Sequence, residues 1–133
     1  MSTEKKFSVT DLVICVILFG ATAIAYYGAS DLGFVSYDDP LYVTQNAMVQ
    51  KGLTVDGTLW AMKTGHANNW NPLTWISHMI DYEIHGSDPR GHHMTSLVLH
   101  IANSLLLYVL LKGMTGARWR SAVVAALFAL HPL

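Results

Sequence analysis

Apolar and polar positions divide the chain into four stretches. Leu12 to Ala29, "LVICVILFGATAIAYYGA", runs 18 residues without a charge, the length at which a helix can cross a bilayer. Met94 to Leu111, "MTSLVLHIANSLLLYVLL", is a second run of 18. A third, "SAVVAALFALHPL", starts at Ser121 and the chain stops at Leu133. Thirteen residues at about 1.5 Å each fall short of a core about 30 Å thick, so the pattern predicts a third span cut short and a chain that is one piece of a longer polytopic protein.

Residues 30–93, between the two full runs, are mixed. "NPLTWISHMIDYEIHG" has Asn71 as N-cap, Pro72 at the first helical position and Gly86 just past the end. Its apolar face is Leu73, Ile76, Met79, Ile80 and Ile84, and Trp70 and Trp75 are rings of the kind that settle at headgroup level, so an interfacial helix is expected. A shorter helix is expected over Val55 to Lys63, opened by Thr54. Asp88-Pro89 should start the second spanning helix and Lys112-Gly113 end it. Ala21, Ala25, Gly28 and Ala29 form a small-residue stripe suited to helix contact in lipid. Ser96, His100, Asn103 and Ser104 make a polar side for a bundle interior, His100 reading as an interhelical hydrogen bond rather than chemistry. No strand-forming alternation, internal repeat or low-complexity tract occurs. The fold class is all-α: a polytopic helical membrane protein with one large loop.

Composition supports this. Of 133 residues, 52% are hydrophobic and 13% charged, about half the charge of an average soluble domain. The net charge of −1 offers no basic field for nucleic acid. Cys15 alone excludes an intrachain disulfide. Charge also orients the chain. Lys5, Lys6, Lys112, Arg118 and Arg120 flank the spans, whereas the 30–93 loop holds three basic residues against seven acids. The positive-inside bias then puts the N-terminus and a 112–120 connector in the cytoplasm and the loop outside, in the cytoplasmic membrane if the source is bacterial.

Two features of the loop carry candidate chemistry. "FVSYDDPLYV" sets Asp38 and Asp39 side by side near the membrane. Asp39 before Pro40 suits a helix N-cap, which leaves Asp38 to explain; a proton-handling pair working as general base on a hydroxyl is the alternative. Five of the seven histidines, His66, His78, His85, His92 and His93, also lie here. His78, Asp81 and His85 share a helix face at i, i+3 and i+7, but lack a fourth ligand at zinc spacing. No metal site is assigned and no cofactor is expected, a divalent metal being the one alternative. Phosphate loops and nucleophile elbows are absent.

"FVSYDDPLYV", "NWNPLTWISHMIDYEIHG", "GHHMTSLVLHIANSLLLY" and "ALFALHPL", in that order from Gly33 to Leu133, resemble the integral-membrane glycosyltransferases of the GT-C class. They look like the N-terminal part of the branch that carries such a domain ahead of tetratricopeptide repeats and is related to protein O-mannosyltransferases. The resemblance implies transfer of a sugar from a polyprenyl- or dolichyl-phosphate donor to an extracytoplasmic acceptor hydroxyl on protein or glycan. It assigns Asp38 as the acid facing the acceptor, most simply the general base, and Asp39 as the second acid, often Glu in relatives. Asn71-Pro72-Leu73 matches a loop element near the lipid phosphate. Some relatives have a basic residue where Asn71 stands, so phosphate contact here would pass to His66 or His78. His131-Pro132 matches the start of a further motif, and residues 1–133 alone are expected to be inactive. The competing readings are a non-enzymatic anchor for repeats that bind partner proteins, and a transporter fragment with metal-binding loop histidines.

Overall fold

The computed structural model describes residues 7–131, and Lys5, Lys6, Pro132 and Leu133, used in the readings above, lie outside them. The described residues form five α-helices and no strand: α1 Val9–Tyr26, α2 Val55–Lys63, α3 Pro72–His85, α4 Pro89–Thr115 and α5 Arg118–Leu130. They fall into two compact units, one of residues up to Gly28 with those from Ser96 onward, the other Ala29–Thr95.

Val9–Asp31 and Pro89–Thr115, each lying mostly in the first unit, provide 23 and 27 helical residues, long and apolar enough to cross a membrane. Val13, Val16, Ile17 and Phe19 on α1 and Val98, Leu99, Leu106 and Leu110 on α4 are exposed. A soluble core helix would hide such residues; here they are left for lipid, and the chain is a membrane protein. α1 begins three residues before the apolar run because Ser8 and Asp11 close a capping box. The Ser8 amide donates to Asp11 Oδ2 at 2.7 Å, and the Asp11 amide to Ser8 Oγ at 3.4 Å. The buried face of α1 is Asp11, Ile14, Leu18 and Thr22. Ala25 and Gly28 of the small-residue stripe are exposed instead.

α4 opens as expected, with Asp88 Oδ1 accepting from the Arg90 amide at 3.0 Å. It runs past Gly113 to Thr115, where Gly116 at φ 68° donates its amide to the Lys112 carbonyl at 2.8 Å. Gly113 stays helical and Gly116 is the C-terminal stop, because the left-handed conformation falls on Gly116. The connector therefore shrinks to Gly116 and Ala117, and Lys112 and Arg118 are helical residues.

Those two cations converge on one acid. Lys112 Nζ lies 2.6 Å from Asp11 Oδ2, Arg118 Nε 2.9 Å from Oδ1, and the buried Tyr108 hydroxyl donates to Oδ1 at 2.7 Å. Asp11 has no solvent exposure. A buried charge persists only when paired and hydrogen-bonded, and this carboxylate joins α1, α4 and α5 at one end. From the sequence, Lys112 and Arg118 read as topogenic charge and Lys112 also as a helix-end signal, not as partners of Asp11; the available signal was Ser8-x-x-Asp11, a capping box in front of a membrane helix. Further along, His100 Nε2 donates to the Ala129 carbonyl at 3.1 Å and its ring meets Tyr26 and Phe128 at 5.4 and 5.3 Å. The interhelical role read for His100 is the observed one. Ser104 is buried, whereas Asn103 is exposed.

The second unit holds α2 and α3 as the spacing implied. Thr54 Oγ1 accepts from the Gly57 amide at 3.0 Å, and Gly86 at φ 60° follows the last residue of α3. Val49, Ala61, Trp75 and Met79 form the core, with Tyr42, Trp60 and Tyr82 around it. Trp75 is therefore a core residue, not a headgroup anchor. Its neighbours Tyr42 and Trp60, at ring distances of 4.8 and 5.3 Å, take it into a packed aromatic cluster. Leu73, Ile80 and Ile84, on the other side of α3, are exposed.

Candidate functional site

The acid pair leads into a wide helical turn, Pro40–Thr44, whose two flanks are anchored within the second unit. Upstream, the Phe34 ring packs on His92 at 5.4 Å and His93 at 6.4 Å. Downstream, Tyr42 stacks on Trp75, and the Leu41 carbonyl accepts from His66 Nε2 at 3.2 Å and from Asn46 Nδ2 at 3.1 Å. The doublet lies between these anchors.

Its two members differ. Asp39 is half-buried, and its Oδ2 accepts from the Val35 amide at 2.6 Å. It does not cap with its side chain, contrary to the sequence reading. With φ −57° and ψ −33°, Asp39 is already inside the turn, whereas a side-chain cap needs an extended backbone to swing its oxygen over the following amides. Those amides belong to Asp38, whose carbonyl accepts from Leu41 and Tyr42 at 2.9 and 3.0 Å. The Asp38 side chain is exposed and has no hydrogen-bond partner among the described residues. One acid is committed to the loop, and the other is available.

Asn71 and Pro72 open α3 as expected, but the Asn71 side chain makes no cap; its carbonyl accepts from the Trp75 amide at 3.1 Å. At φ −126° and ψ 66° the Asn71 backbone is outside the usual capping region. No hydrogen bond joins Asn71 to the acid pair among the described residues. His66 is engaged with Leu41 and with the rings of Trp60 and Trp75 at 5.8 and 5.5 Å. His78, about two turns into α3, lies 6.0 Å from the Tyr42 ring and 6.3 Å from that of His92. Burial pushes its pKa below the ordinary histidine value; Asp81 and, more weakly, Asp39 pull the other way, and His92 adds to the lowering. His78 is thus neutral at physiological pH and within the electrostatic reach of Asp39.

His78, Asp81 and His92 each bring one nitrogen or oxygen to within 4.8 Å of the others. Asp81 is buried and its Oδ1 accepts from the Thr95 hydroxyl at 2.6 Å. His92 is buried, donates through Nε2 to the Gly86 carbonyl at 3.1 Å, and places Nδ1 3.9 Å from Asp81 Oδ2. His85, expected on the same face as His78 and Asp81, is exposed. Its ring lies so close to Gly91 that a Cβ there would overlap it. Gly86 reverses the chain, Gly91 lets the start of α4 close on α3, and His92 arrives where His85 was expected. Helical spacing alone could not find His92; the Gly-x₄-Gly interval ahead of His92-His93 was the available signal.

No family model matches the chain, and no solved structure matches it. Among curated proteins, it is 28% identical over 125 residues to Protein O-mannosyl-transferase Tmtc1 of Drosophila melanogaster, covering 86% of this chain and 14% of that protein. It is 31% identical over 77 residues to Protein O-mannosyl-transferase tmtc2 of Xenopus laevis, covering 58% of this chain and 9% of that protein. The chain thus spans a small part of the length of either relative.

Proposed function

We propose that this chain, a relative of the protein O-mannosyl-transferase Tmtc proteins, is the N-terminal part of a GT-C-type membrane domain that transfers a sugar from a polyprenyl- or dolichyl-phosphate donor to a hydroxyl outside the cytoplasm. Mannose is the sugar that the relatives' names suggest, and a protein hydroxyl the acceptor. The observation that carries the reading is the asymmetry of the acid pair: Asp39 holds the turn through the Val35 amide, and Asp38 is exposed with no competing partner.

In this mechanism the acceptor hydroxyl approaches Asp38, which removes its proton as the oxygen attacks the anomeric carbon, and the lipid phosphate leaves with the bonding pair. Asp39 fixes the turn and adds negative potential behind Asp38. Asn71 and Pro72, at the N-terminus of α3, face the donor phosphate, where the helix dipole favours an anion. His66 contributes through the turn it braces, and His78 through a neutral ring. The loop of residues 30–93 is extracytoplasmic, and the exposed ridge of Leu73, Ile80 and Ile84 rests in the interface.

The test is sugar transfer in membranes of cells expressing the whole transferase of which this chain is proposed to be the N-terminal part. Asp38→Asn should leave expression and membrane insertion unchanged and cut transfer about 100-fold or more, the scale of losing a general base. Full activity in Asp38→Asn would make the doublet a turn device and favour the alternative, a non-enzymatic anchor for tetratricopeptide repeats.

A further inference from the structure

We propose that His78, Asp81 and His92 form a binding site for one divalent transition-metal ion of the zinc class, with its fourth position open to water or an anionic oxygen. The inference rests on the geometry of the second unit and is independent of the transferase reading.

Three observations carry it. The first is convergence from two elements. His78 and Asp81 lie one turn apart on α3, His92 comes from α4, and their ligand atoms lie within 4.8 Å of one another. Zinc bound at about 2.0–2.1 Å in a tetrahedron wants its ligands roughly 3.3 Å apart. The contraction needed is modest and is met by side-chain rotation around an ion.

The second is that the supporting hydrogen bonds are of the kind that orient metal ligands. His92 gives its Nε2 proton to the Gly86 carbonyl, which puts its lone pair on Nδ1, the nitrogen that faces Asp81 Oδ2. Asp81 receives the Thr95 hydroxyl on Oδ1, so Oδ2 is the oxygen turned to His92.

The third is electrostatic. Asp81 is only 5% exposed, and its hydrogen bond from Thr95 is neutral. A desolvated carboxylate is favoured by a neighbouring cation, and the only basic group facing Asp81 Oδ2 among the described residues is the His92 ring, at 3.9 Å, a distance too long for a hydrogen bond. His78 Nδ1 is buried and has no hydrogen-bond partner in the described structure, an arrangement that calls for an explanation in terms of strain or a missing ligand. Two imidazoles and one carboxylate suit zinc and its neighbours; calcium and magnesium prefer all-oxygen sets. Three protein ligands also leave room for a fourth, exchangeable one.

Cobalt(II) is the probe, because its visible absorption is intense in a tetrahedral site and weak in an octahedral one. The whole chain, purified in detergent with a histidine-free tag and stripped of metal, should bind one cobalt per chain with tetrahedral absorption, displaced by equimolar zinc. His92→Ala and Asp81→Asn should each abolish the signal. Thr95→Val should weaken binding by about 10–100-fold, the usual effect of losing a ligand's supporting hydrogen bond. His85→Ala and His66→Ala should leave it unchanged. Circular dichroism tracks folding, and Asp81→Asn keeps an oxygen for Thr95, so that variant decides should His92→Ala fail to fold. The proposal is overturned if the parent chain shows no saturable one-to-one cobalt binding. It is equally overturned if binding survives Asp81→Asn, or is lost in His85→Ala with the helices intact.

Discussion

Trp75 has no solvent exposure and stacks on Tyr42, whereas Trp70, five positions earlier, is 65% exposed and donates Nε1 to the Met62 carbonyl at 2.9 Å. Composition treats the two rings alike, and only packing separates them. Trp75→Ala should cost about 3–5 kcal/mol, the range for emptying a buried aromatic site. Trp70→Ala should cost about 1 kcal/mol, the worth of one hydrogen bond. Thermal melting in detergent, followed by circular dichroism, would rank them. With lipids brominated near the headgroup, fluorescence quenching should reach Trp70 and spare Trp75; the reverse order would contradict the placement of both. Residue roles set by local geometry were legible in the sequence: Thr54 as a cap, Pro72 at a first turn, Gly86 at a stop. Roles set by a partner far along the chain were not. Asp39 looked like a cap because Asp-Pro is a capping pair, yet its oxygen turns back to Val35.

At the scale of elements, the sequence located α2 and α3 because caps, proline and glycine mark their ends within a few residues. It ended α4 one turn early because Gly113 and Gly116 are both plausible stops, and only the backbone dihedral distinguishes them. The close passage of α3 by α4 was hidden altogether. It depends on Gly91, where an added methyl would enter the space of the His85 ring. Gly91→Ala should therefore push the start of α4 away from α3 and destabilise the second unit by about 1–3 kcal/mol, the cost of overpacking. His85→Ala should relieve most of that loss when combined with it, because the clash is with that ring. A double-mutant cycle from melting curves in detergent measures the coupling; independent, additive effects would mean that the two residues do not press on each other.

For the whole molecule, the all-helical class and the two apolar helices followed from period and length alone. The division into a membrane unit and a loop unit with its own aromatic core did not, because it depends on contacts such as Tyr42 on Trp75. Orientation rests on the lysine and arginine bias. With Cys15 replaced by alanine, a cysteine at the exposed Asp56 should react with a membrane-impermeant thiol reagent added outside intact cells. One at the exposed Met114 should react only after permeabilisation. Labelling in the opposite sense would invert the topology and put the acid pair in the cytoplasm.

The carboxylate that joins three helices also imposes an order on biogenesis. Asp11 and its partners Lys112 and Arg118 are 101 and 107 residues apart in the chain. Ribosomes add about 5–20 residues per second, so Asp11 is synthesised some 5–20 s before either cation exists. During that interval the acid has only Ser8 for company, and water at the helix end must solvate it. The first helix can enter the bilayer early, but it cannot bury its end there. The bundle locks last, when the turn between α4 and α5 emerges and delivers both cations together.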